Sequence, residues 1–251
     1  MQPENEPVKP HQALPEYYDS DSEKPLYLNE LFNTSGARYD RILKYGFFGT
    51  GGNYRLRALR KAGLTPDMRV LDVACGTGGV LEQAAKIVSL DQVIGLDPSS
   101  GMLEVARRKF PAATFWEGSA ESIPCEAETF DFLVMGYALR HVKTLDEAFQ
   151  EYYRVLKPGG KVLILEISRP RSRLGYLFAR LYLRHFIPLL ALLLCRNREA
   201  PKMMRYFWDS INACASREAV LDSLSRSGFQ ECGNTPELGA FSAFSGVKPG
   251  R

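Results

Sequence analysis

Histidine and tryptophan are scarce in this 251-residue chain, at three and two copies, and its five cysteines stand far apart. Cys75, Cys125, Cys195, Cys214 and Cys232 form no CxxC pair and have no histidine at ligand spacing. That excludes a zinc centre of ordinary pattern and a disulfide framework, so no metal is expected and a reducing cytoplasm is the natural setting. Charge of one sign is also missing. A net charge of +3 is too mild for a nucleic-acid partner, which calls for Lys and Arg gathered on one face. Long apolar runs are absent as well: the cleanest, Phe186 to Cys195, is half the roughly twenty residues a spanning helix needs, and Arg180 and Arg184 interrupt anything longer. The segment is therefore not expected to cross a bilayer. The opening MQPENEPVKPHQ lacks the apolar centre of a signal peptide, and residues 1–24 read as a loose tail.

What is present fits one α/β domain, with 45% hydrophobic and 24% charged residues. Residues 25–65 read as helical, broken by FFGTGG. From residue 66 to 251 the runs RVLDVA, QVIGLD, DFLVMG and KVLILEI, with a shorter ATFWEG, alternate with helical stretches. Strands that are apolar throughout and separated by helices imply a sheet covered on both faces. The fold expected is a Rossmann-like, doubly wound, mostly parallel sheet with N-terminal helices and a helical insertion at 169–210. One helix can be read residue by residue. Thr144 and Glu147 form a capping box, Leu145, Ala148, Phe149, Tyr152 and Leu156 share a face, and Pro158-Gly159 ends it.

The stretch VLDVACGTGG is a strand that ends in an acid and breaks into glycines before a helix. Glycine allows close backbone approach and the helix N-terminus offers free N–H groups, so a nucleotide-like ligand belongs there. Asp97 closes the next strand about twenty residues on, where a carboxylate can accept from ribose hydroxyls. Leu81 stands where a dinucleotide fingerprint has its third small residue, and Asp72 would sit badly beside a pyrophosphate but well beside a cationic amino group.

The pattern D-x-x-x-G-x-G with a following strand-end acid resembles the S-adenosylmethionine site of class I methyltransferases. ARYDRI, GSAESIPCEAETFDFLVMGYALRHV and EYYRVLKPGGKVLILEISRP further resemble the ubiquinone/menaquinone C-methyltransferase family, from about Tyr39 to the C-terminus. The resemblance implies that Gly76, Thr77 and Gly78 line the methionine and ribose part of the cofactor. Asp97 would take the ribose, Ser119 and Ala120 the adenine edge, and Gly136 would close the site beneath the sulfonium. Ser119 stands where the family commonly has Asp or Asn, and His141 where it has Asn.

Methylation of a ring carbon needs orientation and help in removing a phenol proton. By resemblance Arg140 would stabilise the phenolate or orient a water, with His141 and Tyr39 as helpers; alternatively Arg140 pairs with a carboxylate and His141 is structural. Tyr137 and Tyr206 serve equally well as core aromatics or substrate walls. In the insertion, Arg171, Arg173, Arg180, Arg184, Arg196 and Arg198 flank apolar residues almost without acids. That suits contact with anionic lipid on the inner face of the cytoplasmic membrane through 171–198, or a cap, or a homodimer face. The acceptor expected is a small-molecule or lipid-tailed aromatic. A secondary-metabolism methyltransferase on a small aromatic or polyketide, and a cofactor-binding scaffold without catalysis, are the competing readings.

Overall fold

The computed structural model describes residues 7–20, 22–33, 42, 45–46, 51–170, 172–195, 199–237 and 239–250. Helices α1 (Lys24–Asn33) and α2 (Gly51–Lys61) precede the alternating part of the chain. There follow β1 (Val70–Val73), α3 (Leu81–Ala84), β2 (Val93–Asp97), α4 (Ser100–Lys109), β3 (Thr114–Glu117), β4 (Phe130–Gly136), α5 (Leu145–Val155) and β5 (Leu156–Ile167). Next come α6 (Arg173–Leu181), a π turn (Tyr182–Phe186), α7 (Ile187–Cys195), α8 (Glu199–Asn212), α9 (Arg217–Arg226), β6 (Gln230–Glu237) and β7 (Phe241–Val247).

The strands form one sheet in the order β3-β2-β1-β4-β5-β7-β6. β1 to β5 are parallel, β7 runs antiparallel to β5, and β6 antiparallel to β7. Strand order reverses between β1 and β4, so a crevice opens beyond their carboxyl ends, where ligands of open α/β sheets bind.

β1 and β2 are buried along their whole length because helices cover both faces of the sheet. On one face Leu71, Val73, Ile94 and Leu133 pack with Phe149 and Tyr152 of α5 and Val220 and Leu224 of α9. On the other, Val70, Val93, Phe132 and Leu163 pack with Tyr54 and Leu59 of α2 and Leu81 of α3. A third cluster joins the N-terminal segment to the insertion: Tyr18, Leu28 and Ile42 meet Leu183, Ile187, Met204, Tyr206 and Trp208.

Two expectations need correction. Residues 7–20 are not a loose tail. Val8 N donates to Asp146 Oδ2 at 2.8 Å, Ala215 N donates to Pro10 O at 2.8 Å, and Tyr18 is buried. Backbone pairing, which polar composition does not reveal, holds this segment. In α5, Glu147 N donates to Thr144 Oγ1 at 3.2 Å, but the Glu147 carboxylate turns to Lys143 Nζ at 3.1 Å, so only half of the capping box forms. The helix stops at Val155, and Leu156 belongs to β5, paired with Phe130.

Candidate active site

The glycine turn is built on a sequence of left-handed residues. Ala74 (φ 54°), Gly76 (φ 55°) and Gly78 (φ 87°) turn the chain out of β1 and into α3. Gly78 is required twice over, since a β-carbon there would lie 2.6 Å from the Phe110 ring. At Gly76 the added carbon would meet nothing within 4 Å among the described residues, so that position faces open space on the ligand side.

Both strand-end acids hold this turn. Asp72 is wholly buried, and its Oδ2 accepts from Leu81 N at 2.9 Å, which anchors the start of α3. Its Oδ1 has no hydrogen-bond partner among the described residues. Burial lifts the Asp72 carboxyl to about 8, against the opposing pull of Leu81 N and the Arg55 charge. Asp97 Oδ2 accepts from Gly76 N at 2.8 Å and Oδ1 from Ser99 N at 2.8 Å. Burial raises it to about 6 in spite of those two bonds. Ser99 in turn caps α4 by accepting from Met102 N, and donates to Asn33 Oδ1 at 2.7 Å.

A cavity of about 680 Å³ opens at the switch point, bounded by Gly76 to Val80, by Arg55 and Gln83 from α2 and α3, by Phe110, and by Gly136 and Tyr137 after β4. That volume lies inside the roughly 300–1,000 Å³ typical of small-molecule sites. Gly136 is needed for close packing, because a β-carbon there would stand 2.5 Å from Val80 Cγ2. Tyr137 adopts φ 62°, a strained value for an aromatic residue, and its ring lies under the Arg55 guanidinium at 5.0 Å. Ser119 and Ala120 are half-buried in the turn after β3, where Gly118 N donates to Asp97 O at 3.2 Å. They are not among the residues that line this cavity.

Of the expected site residues, the structure brings Gly76, Thr77, Gly78 and Gly136 onto one wall, with Asp72 and Asp97 bonded to the backbone of the turn. The unpartnered Asp72 oxygen and the open face at Gly76 fit S-adenosylmethionine, whose methionine end carries an ammonium group beside its carboxylate. Arg55 and Tyr137 also line the cavity. Arg55 lay hidden in an ordinary helical pattern, and a left-handed tyrosine leaves no mark in sequence.

Arg140 and His141 are not among the residues that line the cavity. Arg140 is 1% exposed; its Nη1 donates to Glu166 Oε1 at 2.6 Å and to Tyr137 O at 2.7 Å, and its Nε donates to Ser210 Oγ at 3.2 Å. Its guanidinium also covers the Phe207 ring at 4.4 Å. This is the ion-pair alternative, with every contact directed into protein. His141 stacks on Tyr206, its Nδ1 3.3 Å from the phenol oxygen, and meets Phe32 edge-on. Burial and the Arg140 charge hold it well below the ordinary histidine range, so the ring is neutral. Tyr206 is buried in the third core cluster, whereas Tyr137 is a cavity wall. Tyr39 lies outside the described residues.

The order 3-2-1-4-5-7-6 with an antiparallel seventh strand, and the glycine turn between two strand-end acids, define a class I methyltransferase. A structure of an S-adenosylmethionine-dependent methyltransferase from Thermotoga maritima superposes with a TM-score of 0.63 at 23% identity, covering 87% of this chain and 98% of that one. Phosphoethanolamine N-methyltransferase 2 of Haemonchus contortus, in complex with S-adenosylmethionine, gives 0.58 at 20% identity, covering 78% and 52%. These likenesses speak to the fold. The pattern of the ubiE/COQ5 methyltransferase family matches residues 19–248. The chain belongs to that family and is an S-adenosylmethionine-dependent methyltransferase. Similar proteins include the ubiquinone/menaquinone biosynthesis C-methyltransferases of Campylobacter jejuni (32% identity, 80% of this chain and 88% of that one) and Syntrophotalea carbinolica (36%, 80% and 84%). The demethylmenaquinone methyltransferase of Symbiobacterium thermophilum is 36% identical over 68% of this chain and 71% of its own.

Proposed function

We propose that the enzyme methylates a ring carbon of a lipid-tailed quinol in quinone biosynthesis, working in the cytoplasm on the membrane surface. The observation that carries the reading is the family match over 19–248, which takes in both the glycine turn and the helical insertion. When bound, S-adenosylmethionine supplies an electrophilic methyl group. The chain's share is to hold that methyl in line with an electron-rich carbon and to keep water away. Asp97 is assigned to the ribose, Ser119 and Ala120 to the adenine edge, and Gly136 to the floor of the site. Arg140 is assigned to positioning, because it holds the carbonyl of the cavity-wall Tyr137. His141, neutral and stacked, orients Tyr206 and Phe32. Tyr39 remains the candidate for contact with the phenol oxygen.

The insertion supports the membrane part of this reading. α6, the π turn and α7 run together as a helix, Arg173–Leu194, long and apolar enough by length and composition to span a membrane. The sequence count stopped at the arginines and did not anticipate that continuity. Leu183, Ile187 and Ala191 bind the helix to the protein body along one face. Leu174, Leu177, Phe178, Leu181, Phe186 and Leu189 are bare on another, with Leu174 82% and Phe178 69% exposed. A helix attached along one side and apolar on the other suits an in-plane position at a lipid surface. The exposed Arg173 and Arg180 favour anionic lipid over a homodimer contact. Arg184 is excluded from that role because it pairs with Asp209, and Arg171, Arg196 and Arg198 lie outside the described residues.

The test is quinone profiling by mass spectrometry in a deletion strain. The wild-type gene should restore the methylated quinone, and a folded Asp97→Ala variant should leave its unmethylated precursor. An unchanged quinone profile in the deletion strain would overturn the reading.

A further inference from the structure

We infer that Arg55 of α2 reads the carboxylate of the cofactor's methionine group, so that the enzyme recognises S-adenosylmethionine as an amino acid as well as a nucleoside. Among the described residues, three cationic side chains line the cavity: Arg55, Lys86 and Lys109. Two are engaged. Lys86 Nζ donates to Gln83 Oε1 at 2.7 Å, and Lys109 Nζ donates to Thr77 O at 3.3 Å. Arg55 Nε is buried and has no hydrogen-bond partner among the described residues. A buried donor left without an acceptor is costly, and a native fold keeps one where a ligand completes it.

The position of the guanidinium is well defined. It lies against the first turn of α2, where a β-carbon on Gly51 would be 2.9 Å from Nη1, and against the glycine turn, where a β-carbon on Gly79 would be 3.8 Å from Cζ. The Tyr137 ring supports its face. Glycine at both flanking positions leaves the planar fork clear, and the aromatic support limits its rotation. A planar, pre-oriented fork matches the two oxygens of a carboxylate. Arg55 also feels the charge of Asp72 without an ion pair between them among the described residues. Among the described residues the site therefore offers an unpaired cation at the cavity wall, an arrangement complementary to a carboxylate. Arg55 faces the cofactor and not the methyl acceptor, so the inference stands apart from the identity of the acceptor.

Calorimetry on the full chain, without acceptor, compares S-adenosylmethionine with decarboxylated S-adenosylmethionine, which keeps the sulfonium and the nucleoside. Wild type should prefer the carboxylate-bearing ligand by on the order of 10- to 100-fold, the range of a charge-assisted bond pair. Arg55→Gln should bring that ratio close to one by weakening S-adenosylmethionine alone, with a melting curve like wild type. Arg55→Lys, which keeps charge without the fork, should give an intermediate ratio and serves if the glutamine variant fails to fold. No preference in wild type, an unchanged ratio in the variants, or an equal loss for both ligands would overturn the assignment.

Discussion

Arg140 Nη1 lies 2.6 Å from Glu166 Oε1, with the two side chains 1% and 2% exposed. The same Nη1 holds the carbonyl of Tyr137, so the pair links β5 to the wall of the cavity. Removing one partner of a buried pair leaves an uncompensated charge, at a cost of about 3–5 kcal/mol. Glu166→Gln should therefore lower the melting temperature by roughly 6–20 °C in a chain of this size. Arg140→Lys should reduce stability and turnover together. Thermal unfolding beside a methyl-transfer assay checks both. An Arg140→Lys variant that melts like wild type yet has lost turnover would place the guanidinium on the substrate instead.

Burial of Asp72 gives a second prediction. Its carboxyl is raised from 3.8 to about 8, so the folded state holds this proton more tightly than the unfolded state does. Its contribution to stability is full below the ordinary carboxylate value and declines as pH rises across that window. Asp72→Asn removes the effect, so the difference in unfolding free energy, variant minus wild type, should grow with pH and level off above about 8. Denaturant titrations at a series of pH values measure it. A difference that does not change with pH would mean that Asp72 is ionised throughout.

Gly76 and Gly78 separate two ways of damaging one turn. Gly78→Ala combines φ 87° with a 2.6 Å clash on Phe110, and should destabilise by about 2 kcal/mol or more. Gly76→Ala at φ 55° meets no neighbour among the described residues and should lose only about 1–2 kcal/mol of stability. Its methyl group enters the ligand space, so cofactor affinity should fall more than stability does. Calorimetry showing wild-type affinity for Gly76→Ala would move the cofactor away from this turn.

How far the sequence can be read depends on where the restraints come from. β1, β2, β4 and β5 were legible because burial on both faces writes an unbroken apolar run. The turn was legible because glycine and strand-end acids are local. The Arg140–Glu166 pair was not, since its members lie 26 residues apart and meet only when β4 and β5 align. β6 is an exposed edge strand with a register shift between Gln230 and Gly233, and it leaves no alternation to detect. The ordering of residues 7–20 comes from backbone bonds to segments more than a hundred residues away.

The bare helix face should bind anionic vesicles reversibly. Co-sedimentation should be strong at low salt and fall as salt rises, with Arg173→Gln and Arg180→Gln each costing about 1 kcal/mol of binding. Replacing Leu177 and Phe178 with Glu should abolish binding at any salt. If those replacements instead halve the mass seen in sedimentation velocity, the face joins two copies of the chain.

The central claim is methyl transfer to carbon on a lipid-tailed quinol. The most direct test incubates the purified enzyme with S-adenosylmethionine carrying a deuterated methyl group and a reduced, demethylated polyprenyl naphthoquinol in anionic vesicles, followed by fragment mass spectrometry of the product. One labelled methyl on a ring carbon, at a rate abolished in Asp97→Ala, is the predicted result. Label on oxygen or nitrogen, or no transfer from an enzyme that binds the cofactor, would contradict it.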